Sequence, residues 1–202
     1  PVRFLGNHSP GKMGYALAEA FADAGADVTL ISGPTHLPDP THSRIRTQRV
    51  ETADQMYAAA AAVAPEADVW VFAAAVADYK PAQVAAQKIK KAGDTLTLEL
   101  VKNVDIAATL GQTKRPEQFS VGFALETNDE QAHALDKLRR KNFDLVVLNS
   151  LRDAGAGFRH DTNKVTLLEA DGRQTTVELK LKTDVARDIV HTVLARLPHH
   201  HA

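Results

Sequence analysis

Short, almost continuously apolar runs separated by helix-forming stretches are the feature that most narrows what this chain can fold into. Asp27-Val-Thr-Leu-Ile-Ser-Gly33 is rich in β-branched residues and stops at Gly33-Pro34, so it reads as a buried strand followed by a turn. Asp68 leads into the run VWVFAAAVA, and Phe119-Ser-Val-Gly-Phe-Ala and Leu145-Val-Val-Leu read as further strands. Between them, residues 13–24 space Leu17, Ala18, Phe21 and Ala22 along one helical face before Gly25. Thr52 is a cap for an Ala-rich helix ended by Pro65, and residues 129–141 form another helix. Strands buried on both faces and alternating with helices predict an α/β fold, a doubly wound Rossmann-like parallel sheet.

Two segments break the rhythm. Residues 88–101 alternate around Gly93-Asp94, and residues 164–181 alternate around Asp171-Gly172. Each predicts an antiparallel hairpin added to the core, a flap over about 80–102 and a second hairpin over about 162–181. A single nucleotide-binding domain over 1–197 accounts for the whole pattern, and the His-rich tail 198–202 reads as the remnant of an added tag outside it.

Composition removes several function classes. With 24 Lys and Arg against 25 Asp and Glu, the chain has no general attraction to nucleic acid or to a membrane surface, so anion binding must come from local clusters. The absence of Cys excludes thiolate catalysis and Cys-based zinc sites and suits a reducing, cytoplasmic setting. The apolar run 69–77 is far short of the ~20 residues of a membrane span. No secretory signal opens the chain.

The polar motifs point to phosphate chemistry. Gly6-Asn-His-Ser-Pro-Gly11-Lys12-Met13 approaches a phosphate-binding loop, but Met13 replaces the hydroxyl that would hold Mg²⁺, which argues against a P-loop NTPase. The loop still feeds a helix N-terminus able to face an anion, and a tight turn without a ligand explains it equally well. Small residues at 73–77 let backbone approach a ligand at a strand end, next to the carboxylate of Asp78. Lys88, Lys90 and Lys91 follow on the flap, where a solvated edge is the blander account. Asn103 is a candidate cap for a short helix. Lys137 and Lys141 share a helical face, where solvated charge is the ordinary reading. No nucleophile-base constellation stands out, so the pattern fits phosphoryl or nucleotidyl transfer, in which positioning and charge stabilisation dominate. A dinucleotide fold would want G-x-G-x-x-G, and a short-chain dehydrogenase a Tyr four residues before a Lys. The positions four residues after Tyr15, Tyr57 and Tyr79 hold Glu19, Ala61 and Gln83.

Taken in order, NHSPGKMG, AAVADY, KIKK, VKNVDI and VGFALETN resemble the bacterial, CTP-dependent phosphopantothenoylcysteine synthetase family. That family usually forms the C-terminal half of a bifunctional coenzyme A protein, behind a flavin-dependent decarboxylase domain. The resemblance implies a homodimeric ligase. CTP with Mg²⁺ would convert 4'-phosphopantothenate into an acyl-cytidylate and pyrophosphate, and L-cysteine would then displace CMP. It implies a nucleotide site at Phe72, Ala73, Ala74, Asp78, Lys88, Val104, Asp105, Ile106, Ala107, Phe123, Lys137 and Lys141. Lys88 would stabilise charge on the α-phosphate, Asn7 would contact the acyl-cytidylate for the cysteine step, and Arg3 and Ala74 would lie near the phosphopantothenate end.

Two departures accompany the likeness. Val104 stands where a Pro is common. The family also ordinarily carries a strand and a Gly-Pro-Thr loop just before the equivalent of Pro1-Val2-Arg3, which implies an inner sheet member and part of the nucleotide site's wall. The rival functions are an NAD(P)-binding oxidoreductase of Rossmann type and a non-catalytic anion-binding module built on the lysine-bearing hairpin.

Overall fold

Helix α1, Lys12–Asp23, buries Tyr15, Leu17, Ala18, Phe21 and Ala22 and is preceded by Gly11 in a left-handed conformation, φ 82°. The computed structural model of the protein describes residues 5–85, 87, 89, 94–126, 130–150 and 160–197. Strands β1, Val28–Ser32, and β2, Ile45–Arg49, pair in parallel. Helix α2, Ala53–Val63, opens on a capping box: Thr52 Oγ1 accepts from the Gln55 N–H at 3.1 Å, and Gln55 Oε1 accepts from the Thr52 N–H at 3.1 Å. A 3₁₀ turn at Ala64–Glu66 contains Pro65, and the Ala64 carbonyl accepts from the Trp70 indole at 3.1 Å.

The remaining elements are β3 (Val69–Phe72), β4 (Tyr79–Pro81), β5 (Leu100–Lys102), α3 (Ile106–Gly111), β6 (Phe119–Glu126), α4 (Glu130–Arg140), β7 (Leu145–Ser150), β8 (Thr162–Glu169), β9 (Gln174–Leu181) and α5 (Lys182–Leu194). The main sheet runs β3-β6-β7-β8-β9; β3, β6 and β7 are parallel, and β8 and β9 continue it antiparallel. Both faces are covered. Leu17 and Phe21 of α1 and Val185, Ile189 and Val193 of α5 share one cluster with Val121, Leu145 and Val147. On the other face Ala134 and Leu138 of α4 pack with Ala124, Val146 and Phe143. Period-two alternation along each strand divides the apolar side chains between these clusters.

The doubly wound reading therefore holds with three refinements. The run 69–77 is not one strand, because β3 ends at Phe72 and residues 73–77 form a loop whose apolar side chains roof a cleft. The hairpin turning at Asp171-Gly172 is not peripheral: β8 pairs with β7, and Gly172 takes φ 89° at the turn. In the flap, β4 pairs with β5 antiparallel, Tyr79 opposite Lys102, at the base of the expected hairpin. The Gly93 turn, Lys88, Lys90 and Lys91 lie outside the described residues.

Among the described residues no ladder joins β1 to β3, although Val28 of one and Val69 and Val71 of the other pack against the same α1–α5 cluster. Every residue of β1 and of β3 lines the cleft that opens there. Among the described residues no helix is long and apolar enough to cross a membrane.

Candidate active site

In open α/β sheets ligands gather beyond the carboxyl ends of the strands, and here the loop after β3 is the best-held part of that rim. Asn7 Nδ2 donates to the carbonyls of Ala75 and Val76, both at 3.3 Å. From the opposite side Asn103 donates its main-chain N–H to the Asp78 carbonyl at 2.8 Å and its Nδ2 to the Ala77 carbonyl at 2.7 Å. Loop 6–11 is itself tied down, since Thr35 Oγ1 donates to the Pro10 carbonyl at 2.8 Å. Gly11 caps α1 without a side-chain hydrogen bond, and among the described residues no side chain caps that helix where it opens at the cleft. Lys12 does not complete an anion cradle, because its Nζ is paired with Asp161 at 2.5 Å.

The second half of the site comes from α3 and the end of α4. Asp105 Oδ1 accepts from the Ala108 N–H at 3.1 Å, capping α3, and from Lys141 Nζ at 3.0 Å. Burial alone would raise the Asp105 carboxyl, but the Ala108 N–H and the Lys141 ammonium outweigh it and hold the group below its ordinary value. Lys141 is therefore a fixed cation, its side chain 19% exposed, rather than a solvated charge. The α4–β7 turn is pressed against α3: a Cβ on Gly111 would meet the Lys141 carbonyl at 2.2 Å, and Asn142, at φ 55°, donates to the Gly111 carbonyl at 2.9 Å. Phe72 stacks near Phe143 with ring centroids 5.7 Å apart, closing the floor between the two halves.

Asn7, Phe72, Ala73, Ala74, Asp78, Val104, Asp105, Ile106, Ala107, Phe123, Lys137 and Lys141 all line one cleft. That cleft is wide, so hydrogen bonds carry more weight than lining. They join Asn7 to the 73–77 loop, that loop to Asn103, and Asp105 to Lys141. Ile106 and Ala107 are buried in the first turn of α3, whereas Ala74 and Asp78 are exposed. Lys88 and Arg3 lie outside the described residues. The cap of α3 is Asp105 and not Asn103. Sequence reading missed the grip of Asn103 on the neighbouring loop, the Thr35 tether and the pairing of Lys80 with Asp54 at 2.5 Å, which ties β4 to the first turn of α2. Only the Gly33-Pro34 turn signal, which precedes Thr35, hinted at one of them.

Among the described residues no group of three or more His, Cys, Asp or Glu is arranged to hold a metal ion. The exposed Asp78 carboxylate suits the single-carboxylate role by which Mg²⁺ enters with a nucleotide's phosphates.

Residues 1–197 match the model of the DNA/pantothenate metabolism flavoprotein C-terminal domain. The chain is 45% identical over 194 residues to a cysteine/cysteine sulfinic acid decarboxylase from an unknown prokaryotic organism, a match covering 96% of this chain and 54% of that protein. It is 44% identical over 195 residues to the coenzyme A biosynthesis bifunctional protein CoaBC of Vibrio cholerae, covering 96% of this chain and 48% of that one. The chain thus spans about half the length of the curated relatives it matches. The crystal structure of the C-terminal domain of a coenzyme A biosynthesis bifunctional protein CoaBC superposes with a TM-score of 0.81 at 40% identity, covering 98% of this chain and 88% of that one. Sequence and fold agree over nearly the whole length, and the chain belongs to the DNA/pantothenate metabolism flavoprotein C-terminal domain family.

Proposed function

We propose that this chain joins 4'-phosphopantothenate to L-cysteine through an acyl-cytidylate, as one step of coenzyme A biosynthesis. The observation that carries the reading is the coupling, through Asn103, of the exposed carboxylate loop that follows β3, residues 73–78, to the segment that holds the fixed Asp105–Lys141 pair. A carboxylate oxygen of phosphopantothenate attacks the α-phosphorus of CTP and pyrophosphate leaves. The cysteine amine then attacks the acyl carbon, CMP leaves with the bonding electrons, and the amine's proton passes to solvent as the amide forms.

Lys137 and Lys141 serve the triphosphate, Lys88 meets charge growing on the α-phosphorus, and Phe72 and Phe123 flank the nucleotide with Val104, Ile106 and Ala107. Asn7, with Arg3 and Ala74, holds the pantothenate side of the intermediate. Preorganised cations and N–H groups of this kind act where charge develops and need no nucleophile from the protein. Asp78 would be the protein's carboxylate for a Mg²⁺ ion bound with CTP, which would supply charge neutralisation at the phosphates. A homodimer suits the exposed apolar residues spaced two apart along the flap, Leu96, Leu98 and Leu100, which are 66%, 51% and 43% accessible.

The test is pyrophosphate release measured with CTP, with ATP, and with each substrate omitted. Release that needs both CTP and phosphopantothenate, and is faster with CTP than with ATP, is the expected result. Release without phosphopantothenate, or NAD(P)H binding in a fluorescence titration, would replace the ligase with a rival.

A further inference from the structure

Asn103 sits at the joint between β5, which ends at Lys102, and α3, whose cap is Asp105. It grips two successive carbonyls of the facing loop, Asp78 with its main-chain N–H at 2.8 Å and Ala77 with Nδ2 at 2.7 Å. The amide can be oriented only one way, because the Ala77 carbonyl accepts and does not donate. That orientation leaves Oδ1 shielded from water, with no donor among the described residues in reach. An unpaired buried acceptor detracts from stability, so the side chain is poorly explained as a stabilising element and well explained by the loop that it holds.

We infer that Asn103 is a positioning residue that latches the Asp78 loop to the Asp105–Lys141 pair and closes the base of the β4–β5 ribbon. This rests on the nucleotide-site reading given above. The residue stands two positions before Asp105 and bonds at Asp78 itself, so it sets the spacing between the carboxylate loop and the fixed ammonium. The ribbon beyond it has three paired positions, Tyr79 with Lys102, Lys80 with Val101 and Pro81 with Leu100. Two strands of that length do not hold themselves in place in water.

The experiment compares the full chain with Asn103→Ala and Asn103→Asp by amide hydrogen exchange and by steady-state kinetics, after circular dichroism confirms folding. Faster exchange confined to the segments around 76–82 and 100–106, with β6 and β7 unchanged, is expected of both variants. KM for CTP should rise at least about tenfold, more than kcat falls, since a small displacement of binding groups is costly. Asn103→Asp should behave like Asn103→Ala although it keeps Oδ1, because its oxygen repels the Ala77 carbonyl. Unchanged exchange in both segments overturns the latch. Faster exchange with an unchanged KM overturns the positioning role. If the unaltered chain shows no CTP-dependent pyrophosphate release, the functional reading fails and the positioning role with it, and the exchange arm still decides whether the latch exists.

Discussion

Asp105 does two jobs with one carboxylate, capping α3 through the Ala108 N–H and fixing Lys141. Its carboxyl is held below the ordinary 3.8, so the stabilising charge is fully present above that value and drains away as pH falls through the lower folded value. Asp105→Asn keeps a capping acceptor and loses the charge. Its deficit in urea-unfolding free energy should be under about 1 kcal/mol near neutrality, as for partly exposed pairs. That deficit should stay flat down to about pH 5 and shrink on further acidification. A deficit that grows on acidification would mean that the pairing with Lys141 has the opposite sign. Asn7 and Lys88 belong to the same scale. Asn7→Asp should let the acyl-cytidylate accumulate, so that CMP appears more slowly than pyrophosphate in a single-turnover assay; equal rates would remove Asn7 from the cysteine step. Lys88→Gln should slow pyrophosphate release itself while leaving the thermal midpoint unchanged, because the role proposed for it is in charge stabilisation and not in packing. Unaltered release would take Lys88 out of the chemistry.

At the scale of elements, two glycines separate packing from function. A Cβ on Gly122 of β6 would fall 2.1 Å from the Phe143 ring, which is 5% exposed, so Gly122→Ala forces the ring out of its slot. Overpacking of this kind costs about 1–3 kcal/mol. A Cβ on Gly111 meets main chain instead, the Lys141 carbonyl at 2.2 Å, and must push α3 away from the α4–β7 turn. Gly111→Ala should therefore lower the thermal midpoint and also raise KM for CTP, whereas Gly122→Ala at matched destabilisation should spare KM more. Equal kinetic effects would deny that the α3–Lys141 approach sets the site. These elements were legible to different degrees. The helix from Thr52 and the turn at Asp171-Gly172 are written in local chemistry, a capping box and a left-handed glycine, and appear as expected. The end of β3 was not legible, since Ala73 and its neighbours are apolar whether they pair in a ladder or roof a cleft. Asn103 and Asp105 are both good caps, and only the helix start at Ile106 decides between them. Lys141 reads as a solvated charge until the fold brings Asp105, distant in sequence, against it.

The whole molecule sets a different problem, one of edges. Alternating apolar runs made the layered α/β plan legible, but strand order depends on long-range pairing that periodicity does not encode. Among the described residues β1 bonds to β2 on one side and β3 bonds to β6 on one side, and their other edges line a common cleft beneath α1 and α5. Open strand edges leave N–H and C=O groups unpaired and invite association. The family resemblance places an inner strand in such a position, and an extended apolar segment laid there could pair with both β1 and β3. Each ladder bond gained is worth about 0.5–1.5 kcal/mol net, and burial of the facing apolar side chains adds to it. A β-prone apolar segment and a short Gly-Pro-Thr loop held ahead of Pro1 should therefore raise the thermal midpoint by about 5 °C or more over residues 1–202 alone. They should also slow amide exchange in β1 and β3 together while leaving the outer strand β9 unaffected. Replacing alternate apolar residues of the added segment with Asp should abolish both effects, because the strand must bury one face against the α1–α5 cluster. Protection of β1 without β3, or an equal gain from the Asp-substituted segment, would show that the addition docks elsewhere and that the two edges are not halves of one slot.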